Sequence, residues 1–512
     1  MDQHLNRFRR VLGLSQKKLF VLLTCAFSLA LSGSSQDASC SPQQSTQQPS
    51  HPAVHSRRPI VRNSGLTAPD LCASCVKSNL EYLAGPSLHG RGSATEDEHD
   101  AADYIADKLK SYGLQPAAEN GQYIQRASLR TRQVTGSPTL TVETKGTGGS
   151  EPIVLTHGEE MAIAELSQAP LTATLQRIDL APKTASVSKV EPGSALLIKL
   201  TPGMTSEKAG QALKPYRSSK AALVIVSSSD YGQHAFDAGA KQPPRINPIF
   251  GDQAPEQKPA FVVVKPEQFE KLWAEPEGTS VTLEAELTPW KTSYTWNVVA
   301  KLEGTTLKEQ IILLSAHLDH LGVQDGKTYY GADDDASGTA AVMELARVLA
   351  QQPQPKRAVV FALWGSEEIG LLGSSYFLRY PTFPLQSIVA YLEFEMIGRP
   401  DPKINPDQLW LTGWKRTNLG PALVKHGAKL VADPHPTEKF FTRSDNYAFA
   451  KEGIVAQTIS SYGLHPDYHQ PTDTVDKIDF QHMDAAIASM IAPLTWLANT
   501  QFKPEWVEGK KP

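Results

Sequence analysis

The chain is poor in cysteine, with four in 512 residues, and it carries no strong charge of either sign. Fifty basic residues against 54 acidic ones leave a formal net charge of −4. Such a balance gives no electrostatic reason for nucleic acid or an anionic membrane as partner. A membrane-length apolar run is missing too. The N-terminal stretch "LFVLLTCAFSLAL" is thirteen residues long, whereas a spanning helix needs about 20. Arg9, Arg10, Lys17 and Lys18 precede it and "SGSS" follows. This is the layout of a secretory signal, so residues 1–35 are expected to be removed on export to a periplasm or the extracellular space. No membrane partner is expected after that removal. Cys40 follows "DAS" and Cys25 lies mid-run, which argues against lipidation. Cys72 and Cys75 form one CxxC with no second to complete a zinc knuckle. They read as ordinary or disulfide-linked cysteines, and any metal chemistry must use histidine and carboxylates.

What is present is a soluble-protein composition, 40% hydrophobic and 20% charged, enough for roughly two to four domains. Residues 36–62 are rich in Ser, Gln, Pro and His and have little to bury, so a disordered spacer is expected. Residues 63–132 then contain "SATEDEHDAADYIADKLKSYGLQ", with apolar positions at Ala101, Tyr104, Ile105 and Leu109 and acids in the first turn. That spacing predicts an amphipathic helix starting near Thr95 and stopping at Gly113. Residues 133–288 change texture to short Val, Ile, Leu and Thr runs broken by Pro and Gly, such as "SALLIKL" and "PAFVVVK". This is a separate strand-rich insert.

Residues 289–502 alternate strands ("QIILLSAH", "RAVVFALW", "QSIVAYLEFEM", "GIVAQTIS") with amphipathic helices; residues 503–512 are a tail. Near-continuous apolar strands alternating with helices imply an α/β fold, a mostly parallel sheet sandwiched by helices. Sites in such sheets form at the carboxyl ends of the strands. After the first of these strands comes His317-Leu318-Asp319-His320. On an extended backbone His317 and Asp319 point the same way, so the carboxylate can lie near a metal-binding imidazole. The triplet Asp333-Asp334-Asp335 follows, boxed in by Gly331, Ala332, Ala336, Ser337 and Gly338. Then come Glu367-Glu368, Glu395, and the pair His465 and His469, in strand order. Of two adjacent glutamates at a turn, one can bind a metal while the other faces a water. Oxygen and imidazole donors without thiolates suit zinc, and their number fits two ions sharing one carboxylate.

The motifs "HLDH", "GADDDASG", "GSEEIGLLGS", "EFEMIG" and "HQPTDT" resemble, in order and approximate spacing, those of the M28 family of zinc aminopeptidases. The insert resembles a protease-associated (PA) domain in texture. The family resemblance implies a zinc-exopeptidase fold and two zinc ions per chain. It implies that His317 and Glu395 bind one ion, Glu368 and His469 the other, and Asp334 both. Glu367 would be the general base, and Asp319 would orient His317. The family usually has aspartate where this chain has Glu395. Tyr468 and Arg443 resemble positions near the substrate carbonyl, and Phe441 with Phe440 suggests an apolar substrate wall. The peptide bond after the bridging aspartate is cis in relatives, so Asp334–Asp335 is expected to be cis. The expected activity is removal of N-terminal residues from peptides with free amino termini. Alternatives on the same scaffold are carboxypeptidase or glutaminyl cyclisation. A non-catalytic binding ectodomain is a further alternative, disfavoured because no ligand position is vacant.

Overall fold

The computed structural model describes residues 70–143, 151–180, 189–201, 203–204, 206–254 and 257–512. The signal and spacer read from the sequence lie outside the described residues. Among these, no helix is long and apolar enough to cross a membrane.

The residues with strand texture in the middle of the chain form an eight-stranded sheet. Its first strand, Val134–Val142, and its last, Ser280–Leu287, lie side by side and antiparallel. The chain therefore enters and leaves this sheet at neighbouring points. One short strand of the insert, Ile249–Phe250, instead pairs with Ile124–Thr131 at the edge of the other large sheet.

That other sheet has ten strands. Its centre is parallel: Arg357–Trp364, Leu307–His317, Ile388–Phe394 and Ala456–Ser460 run the same way in adjacent positions. The flanks are antiparallel, with Lys291–Leu302 against Arg357–Trp364 and Leu409–Leu411 against Ala456–Ser460. The sheet is thus mixed, parallel where the site is built. Side chains alternate across its plane with period two. Ile312, Leu314 and Ala316 enter one core while Ile311 and Leu313 enter the other. The first core is covered by the helices Ala73–Leu83, Glu96–Ser111, Gly338–Ala350 and Phe480–Asn499. On the opposite face Phe377 and Phe449, from the helices Leu372–Arg379 and Asn446–Lys451, pack against Trp364 and Tyr391.

The amphipathic helix begins at Glu96 with Thr95 as its N-cap, where the acid-rich first turn placed it. The helix Ala73–Leu83 had no such signal. It starts at a disulfide between Cys72 and Cys75, and the Cys72 N–H donates to the buried Glu344 carboxylate at 2.6 Å. Arg347 neutralises that carboxylate at 2.6 Å, which fastens the N-terminal helix to the helix leading away from the aspartate triplet.

Candidate metal centre

Four parallel strands end together, and the loops that follow them carry the acids and imidazoles. His317 is the last residue of its strand and pairs in register with Trp364. Beyond Trp364 the chain turns through Gly365 and Ser366, the latter at φ 50°, to reach Glu367 and Glu368. Glu395 follows the strand Ile388–Phe394, its N–H donating to the Ile459 carbonyl at 3.0 Å. His469 lies in the loop after Ala456–Ser460.

The aspartate triplet divides by direction. Asp333 and Asp335 turn away from the cluster and accept backbone N–H groups. Asp333 takes the Gly398 N–H at 2.8 Å and pairs with His465 at 2.9 Å. Asp335 takes those of His317, Gly338 and Met396 at 3.2, 3.0 and 3.1 Å. Asp473 caps the turn from outside, accepting the N–H groups of Asp333 and Asp334 at 3.0 and 3.1 Å. Of the three, only Asp334 faces His317 and His469, and the Asp334–Asp335 bond is cis. The small residues around the triplet are required by contact. A Cβ on Gly331, at φ 59°, would overlap the His320 ring and the Asp334 carbonyl, and one on Gly338 would overlap the Phe394 carbonyl and the Asp335 carboxylate.

Asp334 is shared. Its Oδ1 lies 3.1 Å from His317 Nε2 and its Oδ2 3.2 Å from His469 Nε2. His469 Nε2 is also 3.0 Å from Glu368 Oε2. Two sets of donor atoms fall within 4.8 Å of one another: His317, Asp334 and Glu395, and His320, Asp334 and Glu368. His317 Nε2, Asp334 Oδ2, Glu368 Oε1 and His469 Nε2 are buried without an aligned hydrogen-bond partner among the described residues. Leaving such groups unsatisfied ordinarily costs ~1–3 kcal/mol each, so atoms of this kind converging on one spot fit cations. The donor types suit zinc.

Close carboxylates and burial shift the protonation of the groups in the cluster. Burial works against charge on His317, yet the Asp334 carboxylate overrides it and holds the imidazole well above its ordinary value. Asp334 in turn is held well below the usual carboxylate range, because His317 and His469 outweigh its burial. Glu367 behaves oppositely. Burial, reinforced by Glu368, Asp445 and Glu395, pushes its carboxyl well above the ordinary value, as a proton acceptor needs.

Asp319 lies against His317, the residue it is expected to orient, and also supports the glutamate turn. Its backbone carbonyl, not its carboxylate, is the near partner of His317 Nδ1, at 3.2 Å against 3.8 Å. That carbonyl fixes the tautomer with Nε2 free toward Asp334. The Asp319 carboxylate accepts the Glu367 N–H at 2.9 Å and the Ser93 hydroxyl at 2.5 Å, bracing the glutamate turn from beneath. Glu98, fully buried and pushed by burial up to about 8, braces the same turn through the Ser366 hydroxyl at 3.1 Å. Glu98 gave no sequence signal beyond being an acid in a helix's first turn. His320 has no assigned role in the "HLDH" motif, yet it lies 2.7 Å from Glu368.

Beside the acids a cavity is lined by Met396, Trp410, Phe440, Tyr462, Tyr468 and Arg443. Tyr468 stacks on His469 with ring centres 3.9 Å apart, and burial raises its phenol, so it stays a donor. Arg443 is exposed and lies over the Phe440 ring at 5.0 Å. The expectation for Phe441 is corrected here. Its side chain is buried in the core on the far side, edge-on to Trp506 and Tyr447. Adjacent residues of the tight turn Phe440–Thr442 point in different directions, and only Phe440 reaches the cavity. Phe441→Ala is therefore expected to cost ~3–5 kcal/mol of stability in denaturant titration. Phe440→Ala, at a half-buried ring, should cost less stability and raise KM for substrates with bulky first residues.

A mixed α/β sheet with imidazoles and carboxylates clustered at the carboxyl ends of its strands, around one aspartate, defines a candidate metal centre. Residues 297–494, which carry the site, match the profile of Peptidase family M28. The chain is similar to the probable lipoprotein aminopeptidase LpqL of Mycobacterium tuberculosis, 31% identical over 39% of this chain and 44% of the relative. It is also similar to the probable leucine aminopeptidase 2 of Aspergillus oryzae, 32% identical over 46% of this chain and 45% of the relative. The matched region thus spans less than half the length of those relatives. Among solved structures, an aminopeptidase from Aneurinibacillus sp. strain AM-1 shares the fold, with a TM-score of 0.52 at 20% identity, covering 86% of this chain and 96% of that one.

Proposed function

We propose that this protein is an exported dinuclear zinc aminopeptidase that releases N-terminal residues from peptides. The observation that carries the reading is Asp334, whose two oxygens face different imidazoles while Glu367 and Glu368 close the same cavity. His317 and Glu395 would hold one ion, His469 and Glu368 the other, and Asp334 both. Zinc bound there supplies a lowered water pKa and a polarised carbonyl.

The chain's own residues do the rest. Glu367, held by the Asp319 and Glu98 braces, takes the proton of the attacking water and delivers it to the leaving amine. Tyr468 and Arg443, at the cavity wall, donate toward the substrate carbonyl oxygen, and the aromatic wall receives the first side chain. Export is supported by the signal-like N-terminus and by the Cys72–Cys75 disulfide, a bond that persists in oxidising compartments.

A panel of aminoacyl and peptide substrates with free and blocked ends tests the activity. Zinc-loaded protein is expected to cleave the free-amine members and ignore N-terminally blocked ones. Release from blocked peptides with a free C-terminus, or cyclisation of N-terminal glutamine, would replace this reading with one of the alternatives.

A further inference from the structure

His320 is absent from the ligand set that the sequence motifs imply, yet its surroundings match those of His317 and His469. The ring is fully buried, and neither nitrogen has an aligned hydrogen-bond partner among the described residues. Nδ1 is aimed into the cluster, 2.7 Å from Glu368 Oε1 and 3.9 Å from Asp334 Oδ2. The expected ligands show the same pattern: close approach to a carboxylate at 3.0–3.2 Å without an N–H aligned on it. The Glu368 carboxylate divides between the two rings, Oε1 toward His320 and Oε2 toward His469. The two rings meet edge-on, with centres 5.8 Å apart.

The ring's position is built in. The His320 N–H donates to the Arg91 carbonyl at 3.0 Å, and its carbonyl accepts the Ser93 N–H at 3.1 Å. Gly331 leaves room for the ring where any side chain would strike it. A wholly buried imidazole with neither nitrogen in an aligned hydrogen bond is expensive, and a cation accounts for the one facing the acids.

We infer that His320 is a ligand of the second cation site, which then has four protein donors: His320, His469, Glu368 and Asp334. The first site keeps three: His317, Glu395 and Asp334. Four protein donors are the number of a closed zinc site, and three that of a site with an open position. The two ions are therefore unequal: the second is retained, and the first is the exchangeable one with room for water. This inference rests on reading the cluster as a two-ion centre.

X-ray absorption of the full chain loaded with zinc alone tests it without reference to activity. Wild type is expected to hold two ions with three imidazoles between them. His320→Phe, which keeps the ring volume and removes both nitrogens, should show two imidazoles. In chelator competition its more tightly held ion should bind well over ~100-fold more weakly, above the ~10–100-fold that loss of an outer hydrogen bond causes. Two ions with only two imidazoles in wild type would overturn the inference and make His320 a hydrogen-bond donor to Glu368. A wild type that binds a single ion would overturn the two-ion reading itself. The wild-type spectrum decides between these even if the variant does not fold.

Discussion

Glu367→Gln is expected to lower kcat by ~10²–10⁴-fold, the range for losing a general base, while zinc content stays at the wild-type level. Glutamine keeps the shape and the backbone N–H that Asp319 holds at 2.9 Å, so the turn and Glu368 stay in place. What disappears is a carboxylate whose proton affinity is raised by burial among Glu368, Asp445 and Glu395. Parallel measurement of turnover and bound metal separates the roles. Loss of metal along with activity would make Glu367 a ligand, and unchanged turnover would remove it from the reaction.

Asp334→Ala should have the broader consequence. Its two oxygens serve both halves of the cluster, at 3.1 Å to His317 and 3.2 Å to His469. The variant is expected to lose both ions and all activity. In wild type, zinc binding adds RT ln(1 + [Zn]/Kd) to stability, about 4 kcal/mol at a thousand times Kd. A chelator should therefore lower the wild-type melting temperature and leave Asp334→Ala unchanged. Retention of one tightly held ion by the variant would show that the aspartate is not shared. Glu368→Gln offers the contrast, since it should weaken only the ion shared with His469.

The strands and helices around the site were legible because their physical cause is local. "RAVVFALW" is apolar at every position after its first residue, and it forms the strand Arg357–Trp364, buried along its whole length. The aspartate triplet was legible as unusual because small residues flank it, and both Gly331 and Gly338 prove to be contact-limited. Phe441 was misplaced because nothing in "KFFTRSD" tells which of two adjacent aromatics faces the cavity. That depends on the turn at Phe440–Thr442 and on Trp506, which lies far along the chain. The short strands Leu409–Leu411 and Leu430–Ala432 escaped notice because three residues carry no measurable periodicity.

By itself the sequence determined the alternation of buried strands and amphipathic helices. It also determined the order of His317, Asp334, Glu367, Glu368, Glu395 and His469 along them. Both follow from periodicity and from what comes after each strand. Only the tertiary structure decided how Asp319 divides its carbonyl and carboxylate between His317 and the glutamate turn. The same holds for Glu98, which reaches that turn across an insert of more than a hundred residues, and for His320, which joins the acids. Those contacts link residues far apart in the chain or fix the direction of a single ring. Such directions are set by packing on neighbouring elements, which no local pattern encodes.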